Sequence, residues 1–210
     1  MSEAQTNPLI GLEGLPPFSK IKPEYVVPAL KHGIEQCRKA IDDVLAKGSF
    51  TWNDLVLPLE EADDKLSRMF SPVSHLNSVM NNDELREAYE QCLPLISEYS
   101  TFVGQHQGLY EAYNALYNSD EFKTLSTAQQ KTITNALRDF KLSGIALSAE
   151  DQKRYGEIST RLSELASKFG NNVMDATLAW HKHITDESQL AGLPESALAL
   201  ASETAKSKGL

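Results

Sequence analysis

The chain has 210 residues, with 29 acidic side chains against 20 basic ones, for a net charge of −9. That excess of negative charge disfavours nucleic acid or an anionic membrane surface as a main partner, and the densest lysine spots, Lys20–Lys22 and Lys206–Lys208, do not offset it. The composition, 41% hydrophobic and 23% charged, is that of a soluble globular protein, and no apolar run approaches the roughly 18 residues a membrane span needs.

The N-terminus has no basic region followed by an apolar one, so it does not read as a secretory signal. Residues 1–22 are expected to form an extended arm, because Leu15-Pro16-Pro17 disfavours helix, with Phe18 and Ile21 pinning it to the body. Residues 23–210 are expected to form a helical lobe. Pro23 suits the first turn of a helix whose stripe runs from Val26 to Leu45 and which Gly48 closes. Pro28 must then lie in or near the first turn. Thr51, with Asp54 three residues on, caps a second helix expected to reach Phe70, interrupted early by Pro58 and broken by Ser71-Pro72. Val73 to Met80 is expected to be a short helical or turn segment. Asn81-Asn82-Asp83 is a cap cluster, followed by a stripe from Leu85 to Val103 with Pro94 inside it. Gly104 and Gly108 punctuate the chain before an aromatic helix of Leu109, Tyr110, Tyr113, Leu116 and Tyr117. Ser126 with Gln129, or Thr127 with Gln130, caps the next helix, whose stripe is Ile133, Leu137, Phe140 and Leu142.

Ser148 to Leu178 reads as one long helix. Tyr155, Ile158, Leu162, Leu165, Phe169, Val173 and Ala176 recur at steps of three and four. Ser148 with Asp151 makes the capping start, and at 1.5 Å per residue the helix spans roughly 46 Å. A stripe that long needs several partners. Next, Trp180 to Thr185 alternates apolar and polar residues, which predicts a short strand at about 180–185. Its partner strand is expected after Leu210, so the chain reads as a fragment. Asp186 caps a turn reaching Leu190, and a last helix starts at Pro194-Glu195. The predicted class is all-α: an irregular antiparallel array of seven or eight helices, mostly helical throughout, with that one strand.

Chemistry-bearing motifs are few. There is no Cys-x-x-Cys, no phosphate-binding glycine loop, no Gly-x-Ser-x-Gly and no His-Glu-x-x-His. Cys37 and Cys92 both fall in helical patterns and are read as buried thiols in a reducing compartment. His181 and His183 would face the same way on a strand and are the best metal candidates, but no third ligand lies near them, and a polar face toward solvent is the simpler reading. The carboxylate run Glu60, Glu61, Asp63 and Asp64 is read as a solvated helix face. Tyr110, Tyr113 and Tyr117 form an aromatic stripe, read as core packing, although tyrosines at a cleft rim could also touch an extended peptide. Asn171-Asn172 inside the long helix is read as structural.

Four segments carry a resemblance: FSPVSHLNSV (70–79), ELREAYEQCLPLISEYSTFVGQH (84–106), NALRDFKLSGIAL (135–147) and RYGEISTRLSELASKFGNNVMDAT (154–177). Together they resemble the N-terminal region of the oligopeptidase A branch of the thimet oligopeptidase family of zinc metallopeptidases, and the resemblance runs from about Asn7 to Leu210. It implies a cytoplasmic enzyme that hydrolyses short peptides in a deep channel between two helical lobes. It also implies zinc held by a His-Glu-x-x-His helix and a later glutamate in the C-terminal half. This sequence has no such motif, so no catalytic, cofactor-binding or metal residue carries over. No zinc is expected on this chain, which is expected to be inactive alone. The implied role is to wall the channel, with oligopeptide substrates and the C-terminal catalytic region as partners. The rival expectation is a free-standing, non-catalytic helical module that binds peptides or a protein.

Overall fold

A computed structural model of the chain describes residues 7–210, so the first six residues of the arm expected over 1–22 lie outside the described residues. The rest of that stretch is a succession of turns and a single 3-10 turn, Phe18–Lys20. Its firmest attachment is not the expected pair. Leu9 is fully buried, and the Asn7 amide donates to the Tyr25 carbonyl at 2.8 Å while its own oxygen accepts from the Leu9 N–H at 3.0 Å. Ile21 packs at the edge of the same apolar cluster, and Phe18 lies half exposed against His75.

Eight helices follow among the described residues: α1 (Pro23–Lys47), α2 (Leu57–Val79), α3 (Asp83–Gly104), α4 (Gln107–Tyr117), α5 (Asp120–Thr124), α6 (Thr127–Leu142), α7 (Ala149–Ala179) and α8 (Glu195–Ser207). Pro23 starts α1, where its missing N–H costs nothing, and Gly48 ends it at φ 66°, a left-handed conformation in which a side chain would be strained. The side chains of Thr51, Asn82, Ser119, Ser126 and Asp186 each accept a hydrogen bond from a backbone N–H that the following turn leaves free. Ser148 does the same for Asp151 at 3.1 Å.

Two expectations about proline change. Trp52–Val56 forms a π-helical turn leading into α2. Proline lacks the N–H of a regular helix and its ring crowds the carbonyl four residues back, so a widened turn just ahead of Pro58 absorbs the mismatch. Pro72 does not end the second helix; α2 continues to Val79. Met69, Pro72 and Val73 are all buried, and this packing offsets the lost hydrogen bond. Pro94 likewise lies inside α3.

The predicted strand at about 180–185 is absent. Residues 180–186 carry no regular structure, and no strand occurs among the described residues. Alternation specifies a strand only when one face is buried and a neighbour supplies the ladder. Here Trp180 is 74% exposed and both histidines are exposed.

The chain divides into two compact units, with the boundary after Ser167, inside α7. In the first, α1 is the spine. Its N-terminal half (Val26, Ala29, Leu30) joins Leu9, Val73, Leu85, Ala88 and Cys92 in one core cluster. Its C-terminal half (Ile41, Val44) joins Leu55, Val56 and residues of α4 and α6 in the other. Gly33 lets α2 approach closely: a Cβ there would stand 2.7 Å from the Leu66 Cδ1. The start of α7 rests on α3 through small and hydroxylated residues, with Ser97 bonded to Ser159 and Thr160 at 3.5 and 3.3 Å. The second unit holds the end of α7, the irregular stretch, a 3-10 turn (Glu187–Leu190) and α8, none of whose residues is buried. No residue of α7 is buried either, so its apolar stripe stands largely in solvent.

Candidate functional site

Within the first unit, α1, α2, α3, α4 and α6 enclose a cleft of about 520 Å³, within the range of small-ligand pockets. Its floor is apolar: Leu30, Ile34 and Ile41 from α1, Leu59, Leu66 and Phe70 from α2, Ile96 and Val103 from α3, and Phe140 from α6. Each comes from the stripe that its helix turns inward, so the repeat that builds the core also builds the cleft.

The polar lining is sparse and of one sign. Glu60 and Asp63 on α2 and Asp139 on α6 contribute carboxylates, and no lysine or arginine lines the cleft. Asp139 is held by Arg138 at 2.8 Å. Glu60 and Asp63 have no ion pair among the described residues. The Cys37 thiol donates to the Ala62 carbonyl at 3.3 Å and lies beside the Tyr99 hydroxyl. Burial pushes the thiol up from its ordinary value, and the nearby Asp63 carboxylate adds to this. Burial also pushes the Tyr99 hydroxyl well up, with Cys37 and Asp63 reinforcing the shift and Arg38 opposing it. Arg38 itself caps the Phe102 ring at 4.0 Å and pairs with Glu98 at 3.6 Å. Tyr113 is 7% exposed and packs edge-on against Phe140; burial and then the Glu60 carboxylate push its hydroxyl upward.

The residues singled out from the sequence separate clearly. All four residues of the acidic run are exposed, but they border different features. Glu60 and Asp63 line the cleft, Glu61 lines a second hollow on the other side of α2, and Asp64 pairs with Arg68 at 2.7 Å. The tyrosine stripe divides as well: Tyr113 is core and cleft wall, Tyr110 packs on Phe140, and Tyr117 lies tilted against Phe122 with 41% of its surface exposed. Cys37 and Cys92 are both buried free thiols. α7 runs through Asn171-Asn172 without interruption. Tyr99 and the pairing of Cys37 with it were not singled out. The only signal was that both occupy inward stripes while carrying a polar atom.

A zinc ion does not fit this set of residues. Among the described residues no group of three or more His, Cys, Asp and Glu side chains comes together to hold a metal, and His181 and His183 stand exposed without a third donor. No helix among the described residues is long and apolar enough to cross a membrane.

Residues 30–153, which include every residue lining this cleft, match the family model described as the neurolysin/thimet oligopeptidase N-terminal domain. The chain belongs to that family. Relatives include oligopeptidase A of Haemophilus influenzae, 61% identical over 207 residues covering 99% of this chain and 30% of that protein. Oligopeptidase A of Escherichia coli is 60% identical over 206 residues, 98% of this chain and 30% of that protein. A probable cytosolic oligopeptidase A of Arabidopsis thaliana is 33% identical over 204 residues, 97% of this chain and 29% of that protein. The chain thus spans about 30% of the length of these oligopeptidase relatives.

Proposed function

We propose that the chain is the N-terminal helical lobe of a longer zinc oligopeptidase of the oligopeptidase A type, and that it walls the channel which short peptides enter. The observation that carries this reading is identity of about 60% to oligopeptidase A over nearly the whole chain. In this reading the catalytic zinc and its ligands belong to the C-terminal region of the longer protein. This chain supplies no reacting group; its part is to shape and charge one wall of the channel and to exclude folded proteins. The parent works in the cytoplasm on oligopeptides, and residues 23–210 act as one lobe against the catalytic region.

The test uses two proteins: the 210-residue chain, and the product of its reading frame extended to the length of the relatives. The extended protein is expected to hydrolyse short unstructured peptides and to lose that activity to a chelator, with recovery on adding zinc. The 210-residue chain is expected to hydrolyse none. Chelator-sensitive hydrolysis by the short chain would overturn the assignment, as would an extended frame that closes without a His-Glu-x-x-His.

A further inference from the structure

The cleft combines three features that a mere packing defect would not share. Its floor is apolar and its volume is about 520 Å³, so water inside it gains few hydrogen bonds. Glu60 and Asp63, one helical turn apart, face it without cationic partners. The Tyr113 residue is 93% removed from solvent and lines the cleft, and its hydroxyl forms no hydrogen bond within the described residues while keeping access to solvent, so it is available to a ligand.

We propose that this cleft binds the amino-terminal end of a short apolar peptide. The protonated α-amino group would sit between Glu60 and Asp63, the first side chains would enter the apolar floor, and the Tyr113 hydroxyl would donate to a peptide carbonyl. An amino terminus fits better than a lysine. Leu59, Ala62 and Leu66 interleave with the two carboxylates on the same helix, so the positive charge and the first apolar group must be close neighbours. In an N-terminal residue they share one Cα, whereas a lysine separates its charge from the backbone by a four-carbon stem. The proposal deepens the oligopeptidase reading by naming the end of the peptide that this lobe would hold.

The experiment is titration calorimetry of the 210-residue chain with Leu-Phe-Leu-amide, its N-acetyl counterpart, and N-acetyl-Leu-Lys-Leu-amide. Leu-Phe-Leu-amide is expected to bind saturably at one site and roughly fivefold more tightly than its acetylated form, the scale of a partly exposed ion pair. That preference is expected to shrink at high salt and to vanish in the E60Q/D63N double variant, whose substituted positions are exposed and leave the core intact. Tyr113→Phe is expected to weaken all peptides two- to fivefold, roughly one hydrogen bond's worth, without changing the helical circular dichroism. Equal affinity for the free and acetylated peptides overturns the proposal, as does no saturation at millimolar concentration, or a preference that survives in E60Q/D63N. Binding of the lysine peptide as tight as that of the free amine overturns the assignment to an amino terminus. Peptide binding here alongside an extended protein that hydrolyses nothing would defeat the oligopeptidase reading alone; hydrolysis without binding here would defeat the cleft proposal alone.

Discussion

Gly104 ends α3 where a Cβ would meet the Ser143 Cβ at 2.5 Å and Oγ at 2.6 Å. Neither atom is the far end of a flexible chain, so Gly104→Ala is expected to cost about 1–3 kcal/mol through overpacking, read as a lower urea midpoint. Adding Ser143→Gly removes both clashing atoms and should restore much of the loss; an unrelieved double variant would refute the steric account. Asp54 gives a pH prediction. Its carboxylate accepts from Lys47 and Ser49, and these bonds hold its pKa below the ordinary 3.8. A depressed folded value means a contribution fully present above 3.8 and lost as pH falls through the folded value. The stability difference between the parent chain and Asp54→Asn should therefore be constant above pH 5 and shrink on further acidification. Tyr99 and Tyr113 behave in the opposite sense. Their phenols are pushed up by burial, so their contribution is intact below the ordinary tyrosine value of about 10 and is lost as pH rises further. Ultraviolet titration should show these two hydroxyls ionising only as the fold opens; ionisation together with the exposed tyrosines would contradict their burial.

Helix starts were legible in the residues because capping chemistry is local. Thr51, Asn82, Ser126, Ser148 and Asp186 each lie within three residues of the N–H they satisfy, and no distant neighbour is needed to recognise them. Ser126 and Gln129 form the complete reciprocal box, so Ser126→Ala should lower stability by about 1 kcal/mol, while Ser126→Asp should largely preserve it. Proline effects were less legible, because they depend on what packs around the ring. Ser71-Pro72 looks like a break, but Pro72 is buried beside Met69 and Val73, and the helix survives. The alternation at Trp180–Thr185 misled for the reverse reason: period two is a burial pattern, and nothing buries that stretch. The cleft was legible only in part. Each wall was visible as a stripe, but stripes do not say which of their members touch one another. The division of Glu60 and Asp63 from Glu61 and Asp64 follows from which rows of α2 face α1, α3 and α4.

Across the whole molecule the least satisfied feature is α7. Leu162 is 61% exposed, Phe169 72% and Val173 50%, more apolar surface along one line than a solvated helix ordinarily shows. The 210-residue chain is therefore expected to self-associate as concentration rises. Sedimentation velocity should show the average mass growing, and L162E with F169E should hold it at the monomer value. Concentration-independent sedimentation of the parent chain would contradict this. The two thiols have a different consequence. Thiolate is the form that alkylating reagents attack, and burial holds the Cys92 thiol up at about 11 and raises that of Cys37. At neutral pH neither should react until the interior around it gives way. Each is thus a silent clock wound into a different region, Cys92 in the cluster around Leu9 and Val73, and Cys37 in the cleft wall. Labelling each alone, with the other replaced by alanine, times two kinds of breathing in one molecule. Cys37 should tick faster, because a wall that faces a hollow needs less of the protein to move aside.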